Sequence, residues 1–400
     1  MKKIKKKIYL DYAATTSVDP RVFKKMIPYF SQHFGNTMSL HQLGQEAKVA
    51  LEESRKIMAN FIGAKSNEII FTSSASESNN FVLKGIAFAN KEKGRHIIIS
   101  QIEHPCIMES AKWLEKQGFE ITRLPVNKYG LVDPKRVERT IKQGTILVSI
   151  IHASNEIGTI EPVEEIGKII KSKKLTLKSP IYFHTDASQS FGKIPINVNK
   201  LNVDLLTASS HKIYGPKGAG LLFVKEGTKI EPLLHGGGQE MGWRASTINL
   251  PAIVGFAEAI KIAQKVMEKE GKRLKKLKEK LTKGILSKIP GSYFNGHPEK
   301  SLANILNFWF EGVEGESIVV QLDLLGIAAS TGSACSSAKL EPSHILLAIG
   351  LKPWQAHGSL RLSLGRWTRE KDIDYTLKVL PEVIKKLRKI SPFKKIIKNY

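Results

Sequence analysis

A single lysine, Lys212, stands between a histidine and a glycine-rich turn in SSHKIYGPKGAG, residues 209–220, directly after the apolar run VDLLTA. A primary amine at the end of a buried strand is a nucleophile toward a carbonyl carbon. Other polar residues occupy comparable places. FTSSASES carries Ala75 and Ser76 where a strand runs into a helix, offering N–H groups, hydroxyls and a helix N-terminus to a phosphate. IEHP supplies His104, HASNEIG supplies Asn155, HTDASQS supplies Asp186 and Gln189, and SSHK adds Ser209 and His211. In open α/β sheets ligands bind beyond the carboxyl ends of the strands, so these residues belong to one discussion.

Together they ask for one ligand with a phosphate, a flat ring and a carbonyl-like carbon open to an amine. Pyridoxal phosphate has all three. The lysine forms a Schiff base with it, an acid such as Asp186 keeps the pyridine nitrogen protonated so that the ring withdraws electrons, and a helix N-terminus holds the phosphate. A zinc site is not supported, because His104, His184, His211 and His235 show neither HExxH nor CxxC spacing. A dinucleotide fold is not supported either, since HGGGQ (235–239) lacks the GxGxxG pattern. The two cysteines, Cys106 and Cys335, exclude a disulfide framework and a Cys-rich metal site. Cys335 lies in the polar, turn-like GSACSS and reads as a reactive thiol; Cys106, at an apparent helix start, reads as a packing residue.

These residues need a scaffold. DPRVFKKMIPYF and HQLGQEAKVALEESRKIMANFIG read as helices, NEIIFTSS as a strand and ESNNFVLKGIAFANKE as the helix it feeds. HIIIS (96–100), TILVSI (145–150), IYFHTDA (181–187), DLLTAS (204–209) and GLLFVK (220–225) are short apolar runs between helix-like segments or tight loops. Such runs suit strands buried on both faces of a largely parallel sheet. From about residue 260 a charged helix (261–283), then ANILNFWF, GIAAS and SLRLSLG, read as a smaller α+β domain. The expectation is an α/β protein with a large domain at 1–259 and a small one at 260–400, residues 1–20 packing on the small domain.

The chain has 400 residues and a net charge of +25. The lysines crowd into Lys2–Lys7, the 261–283 helix and the tail from Lys385 to Lys398. In the helix Leu274, Leu277 and Leu281 recur at helical spacing, so the lysines between them form a solvated face. No zinc finger, RNP aromatic motif or basic zipper accompanies the charge, and a direct nucleic-acid function is not expected. No apolar run suits a membrane span or signal peptide, which makes a cytoplasmic location the expectation.

YLDYAATT, FTSSASESNN, EHP, NEIG, HTDASQS, SSHKIYGPKG, GGGQE, STGSACSS and RLSLGR occur in this order over nearly the whole chain. The set resembles the cysteine desulfurases of the class V aminotransferase superfamily, pyridoxal phosphate enzymes of fold type I, and its Cys segment is similar to their group I. The resemblance implies a mostly parallel seven-stranded sheet. It implies Lys212 as the cofactor-bearing lysine, Asp186 on the pyridine nitrogen, His104 stacked on the ring and active in catalysis, and Gln189 near the ring hydroxyl. Ala75, Ser76, Ser209, His211 and a second subunit's Thr247 would hold the phosphate. Arg361 would grip the substrate carboxylate with Asn155 and Asn36 assisting, and Cys335 would attack the substrate sulfur. Ser74 stands where the family's turn usually has glycine. A homodimer, L-cysteine as substrate and a sulfur acceptor, either an iron-sulfur scaffold or a tRNA-thiolation enzyme, are implied as partners. The alternative within the superfamily is a selenocysteine lyase or another aminotransferase.

Overall fold

The computed structural model describes residues 7–332 and 341–391. Its largest sheet has seven strands in the order Ile69–Thr72, Gly220–Val224, Leu205–Ser209, Tyr182–Asp186, Thr145–Ser149, His96–Ser100, Glu120–Leu124. Gly220–Val224 runs antiparallel to both neighbours, and the other four pairings are parallel. Six of these strands are buried along their whole length, which is why they read as continuous apolar runs. Alternation still sorts their side chains between two faces. Ile98, Val148, Phe183 and Leu206 pack with Met58, Ile62 and Phe256 on one side. Ile97, Ile99, Leu147 and Leu205 pack with Phe81, Val82, Ile107 and Leu114 on the other.

The edge strand Glu120–Leu124 is absent from the sequence expectation. Its glutamate is exposed and its next three residues half-buried, so it lacks the apolar run that marks its neighbours. DPRVFKKMIPYF also departs from a single helix: Pro28 divides it into Pro20–Met26 and Pro28–Ser31, since proline has no N–H for the helix ladder.

A second sheet is antiparallel, with Ile305–Phe310 between Ser292–Asn295 and Ser359–Ser363. Phe308, Phe310, Leu360 and Leu362 of this sheet pack with Leu380 and Ile384 from the helix Glu370–Ile390. One 39-residue helix, Leu250–Lys288, serves both layers and runs through the position where the sequence places a domain boundary. Its first turns bury Ile253, Phe256 and Ile260 against the large sheet, and its later turns bury Leu274, Leu281 and Ile285 in the second core. The N-terminal Ile8–Tyr9 pairs with Ile327–Ala328, and Ile8 and Leu10 join the second core.

The loop after Gly220–Val224 is fixed by one buried ion pair. Glu240 and Met241 have left-handed backbones, φ 49° and 59°, a conformation that costs a non-glycine residue about 1–3 kcal/mol. The compensation is bidentate: Arg55 Nη1 and Nη2 each lie 2.8 Å from a Glu240 oxygen, and the Phe71 N–H donates to the same carboxylate at 2.7 Å. Arg55 also donates to the Ile69 carbonyl at 2.7 Å, so a helix, a strand and the loop meet at one charge pair. Glu240→Ala would leave the Arg55 charge buried without its bidentate partner, with only the half-exposed Glu52 at 3.1 Å to offset it. The expected loss is about 3–5 kcal/mol, read as a lower midpoint in urea; an unchanged midpoint would refute this role for the pair.

Candidate active site

Asp186 and Ser209 end adjacent parallel strands, so both emerge at the same sheet edge. A short 3-10 turn, Ser210–Lys212, follows Ser209 at once and turns the lysine over that edge. The space in front of it is a cavity of about 190 Å³. Ala75, Ser76, His104, Asn155, Asp186, Gln189, Ser209, His211, Lys212 and Arg361 all line it. Asn36 and Thr247 do not; both are exposed elsewhere on the chain. Cys335 lies outside the described residues.

One end of the cavity suits an anion. Ser74 caps the helix Ala75–Asn90, its Oγ accepting the Glu77 N–H at 3.1 Å and its carbonyl the Ser78 N–H at 3.1 Å. The Ala75 and Ser76 N–H groups have no acceptor among the described residues and sit at a helix N-terminus, a place suited to an anion. Ser74 itself is extended, with φ −169° and ψ 163°, so no glycine is required there. The glycine that matters is Gly220, where a Cβ would come within 2.5 Å of Thr72 Oγ1 and 2.6 Å of the Ser74 carbonyl carbon. Its absence lets the neighbouring strand approach the turn. Ser209 and His211 complete this end. Burial, with Lys212, Lys217 and Lys193 nearby, pushes His211 down to about 4, so at neutral pH it offers hydrogen bonds without adding charge.

The opposite wall carries the buried carboxylate. Asp186 Oδ2 accepts from Asn79 Nδ2 at 2.7 Å, while Oδ1 accepts from the Ser188 N–H at 2.9 Å and the Ser188 hydroxyl at 2.5 Å. Three donors fix an ionised acid in place. Lys212 Nζ donates to the carbonyls of Ala13 and Ala14 at 2.5 and 2.7 Å, and Gln189 Nε2 donates to the Ala13 carbonyl at 3.0 Å. His104 is the N-cap of the helix Pro105–Lys116, and burial holds it below the ordinary imidazole range against the pull of Asp186.

Arg361 reaches the cavity from the second sheet. It is 1% exposed, with Nη1 donating to the Asn155 carbonyl at 2.9 Å and Nη2 to Asp11 Oδ1 at 2.9 Å. Its Nε has no partner among the described residues, nor does the buried Asn155 Oδ1. Unpaired buried groups on a cavity wall are where a ligand's carboxylate and amine find partners. An anion cradle, an amine, an ionised acid, an imidazole and an incompletely paired guanidinium around one space fit a phosphate-bearing pyridine aldehyde together with an amino acid.

Sequence reasoning missed Asn79, Cys106 and Ser188, all of which line the cavity. Asn79 is four residues after Ala75 and so shares its helix face, a signal present in FTSSASESNN. Cys106, read as a packing residue, does pack against the core, as Phe88 and Met108 do, and its Sγ also lies 3.0 Å from His104 Nδ1. Among the described residues no group of three or more His, Cys, Asp or Glu could hold a metal.

Residues 8–376 match the family model described as aminotransferase class-V. The chain is 51% identical over 391 residues to the cysteine desulfurase IscS of Dictyoglomus turgidum, covering 98% of each chain. It is 50% identical over 387 residues to the cysteine desulfurase IscS of Methanosarcina thermophila, covering 97% of this chain and 94% of the relative. Among solved structures, a NifS-like protein superposes with a TM-score of 0.89 at 38% identity, over 95% of this chain and 100% of the other. A structure described as SspA in complex with cysteine superposes with a TM-score of 0.79 at 36% identity, over 89% and 98%. With this fold, this cavity and relatives matched over nearly their whole length, the chain belongs to the class-V aminotransferase family and, within it, to the pyridoxal-phosphate-dependent cysteine desulfurases.

Proposed function

We propose that the chain works on free L-cysteine, releases L-alanine and carries the sulfur away as a persulfide on Cys335. The observation that carries this reading is that one small cavity holds both the Lys212 amine and the Arg361 guanidinium, so it can engage a small amino acid near its α-carbon and at its carboxylate. In the balanced reaction the substrate's carbon–sulfur bond breaks, a sulfur–sulfur bond to Cys335 forms, and the thiol's proton goes to the β-carbon of alanine.

Pyridoxal phosphate, when bound, supplies an electron sink that weakens bonds at the carbons of an attached amino acid. Ala75, Ser76, Ser209 and His211 would hold its phosphate, Asp186 its ring nitrogen, and His104 and Gln189 the ring's face and edge. The chain's own residues do the rest. Arg361 Nε, with Asn155 beside it, takes the substrate carboxylate, and the low dielectric around a buried guanidinium strengthens that contact. Lys212 Nζ, which faces the cavity, would serve as the base that moves the α-proton. His104 offers Nε2 for proton exchange with the substrate thiol. Cys335 attacks as thiolate, the competent nucleophile. A selenocysteine lyase would share Lys212, Asp186 and Arg361 without needing Cys335.

Cys335→Ala separates the two. It should keep its yellow colour and its spectral response to L-cysteine while alanine release falls by a factor of about 100 or more, and selenocysteine turnover would not rescue it. Alanine released from cysteine at the wild-type rate would overturn the persulfide step.

The homodimer is part of the same proposal. Phe23, Ile27, Phe30, Phe34, Met38, Leu40 and Leu43 are all at least 40% exposed within one short stretch, more apolar side chain than a monomer leaves in water. Asn36 sits in that stretch, and Thr247 is exposed as a residue serving a neighbour's phosphate would be. Sedimentation should give a dimer, and Phe30→Lys with Phe34→Lys should give a monomer that loses cofactor. A fully active monomer would remove the idea.

The acceptor is proposed as an acidic protein, an iron-sulfur scaffold or a tRNA-thiolation enzyme, drawn to a chain of net charge +25. Such attraction is screened over about 8–10 Å at physiological salt. Sulfur transfer to the acceptor should therefore slow several-fold between 50 and 500 mM salt, on the order seen for steered association, while alanine release changes little. A transfer rate indifferent to salt would argue against it.

A further inference from the structure

Cys106 and Asn79 have no part in the reaction as written, yet they join the two groups that flank the cavity. Asn79 Nδ2 donates to Asp186 Oδ2 at 2.7 Å and, with its other proton, to Cys106 Sγ at 3.2 Å. Cys106 Sγ lies 3.0 Å from His104 Nδ1, and the Cys106 backbone N–H points at the same nitrogen at 3.3 Å. Chemistry assigns every proton in this chain. An ionised carboxylate requires the amide nitrogen, not the amide oxygen, on its side of Asn79. A backbone N–H aimed at Nδ1 requires a lone pair there, so the thiol proton must also point to Nδ1, and the sulfur is left to accept from Asn79 and from the Ser76 hydroxyl. The neutral imidazole then has one place for its own proton, Nε2. The ring hydrogen bonds of His104 among the described residues are both at Nδ1, so Nε2 is the ring atom available to a ligand.

We propose that Cys106 and Asn79 are positioning residues that lock His104 as the Nε2–H tautomer, so that it meets the substrate as a hydrogen-bond donor and acid. Cys106 acts through Nδ1, and Asn79 acts by fixing the thiol's rotation from the Asp186 side. This rests on the desulfurase reading for its consequence but not for its geometry, which exists in the chain without substrate or cofactor. The thiol serves as a donor and not as a nucleophile: burial beside Asp186 pushes it up to about 12, which keeps its proton on.

Donors to Nδ1 stabilise the neutral ring, so removing the thiol must raise the pH at which His104 titrates. The field of Asp186, Lys212 and His344, which also acts on the ring, is untouched by the change. The full chain, labelled with 13Cε1-histidine, is titrated by NMR with and without pyridoxal phosphate, the His104 signal being assigned with His104→Gln among the 11 histidines. Cys106→Val, which keeps volume and removes the donor, should raise the His104 midpoint by about 0.5–1 unit, and Cys106→Ser, which keeps a donor, should leave it within about 0.2 unit of wild type. Asn79→Leu added to Cys106→Val should produce no further shift, because it acts through the thiol. A His104 titration that Cys106→Val leaves in place, or that Cys106→Ser moves as far as Cys106→Val, would overturn the lock. A further shift from Asn79→Leu in the Val background would remove Asn79 from it. None of these readings needs turnover, so they stand or fall apart from the choice of substrate.

Discussion

Arg361 carries a charge with almost no water around it, and three separated pieces of chain are bound to satisfy it. Asp11 comes from the N-terminal segment, Asn155 from the loop after the Thr145–Ser149 strand, and the arginine itself from the Ser359–Ser363 strand of the second sheet. Burying a guanidinium costs several kcal/mol unless its donors are paired, so the two layers cannot separate without exposing or orphaning it. The pairing is also incomplete, since Nε has no partner. The same residue therefore closes the fold and, in the proposed function, turns its remaining donors, Nε among them, to a substrate's carboxylate at the seam between layers.

The histidines show the complementary strategy. Burial pushes His152, His184 and His211 down to about 4, and each has a hydroxyl partner: Ser190 for His152, Ser149 and Thr207 for His184, Thr15 for His211. Kept neutral, they add hydrogen bonds around the cavity without competing with its charges. The charged groups lining the cavity are then Asp186, Lys212 and Arg361, which the proposed function turns to separate parts of its ligands. His184 sits within the sheet beneath Asp186, which explains why a histidine at a strand centre carries no metal-site spacing.

Most of the fold was legible because buried parallel strands leave continuous apolar runs, and HIIIS or DLLTAS can hardly be anything else. Glu120–Leu124 was illegible for the opposite reason: an edge strand covered on one side reads as ordinary surface. Within the site, residues at strand ends or just beyond them, such as Asp186 and Lys212, announce themselves by polarity at an apolar boundary. Asn79 and Cys106 do not. They lie inside helices, not at a polar boundary after a strand, and their importance comes from a hydrogen bond between residues 27 apart. Such pairings are set by how the helices Ala75–Asn90 and Pro105–Lys116 pack, which no single stretch of sequence records.

The N-terminal segment shows how far the site depends on chain assembly. Ile8–Tyr9 adds a strand to Ile327–Ala328, Asp11 reaches Arg361, and the Ala13 N–H donates to the Ser363 hydroxyl oxygen at 2.8 Å. The carbonyls of Ala13 and Ala14 then face Lys212 and Gln189, and the Thr16 N–H donates to the His211 carbonyl at 3.0 Å. Fewer than ten residues thus touch the second sheet, the arginine and the lysine turn in succession. Because each contact uses backbone or short side-chain groups, the segment has little freedom to shift one without the next. The position of the Lys212 amine is therefore set as much by the start of the chain as by the strand that delivers it, and a displacement at Ile8–Tyr9 would be felt at that nitrogen.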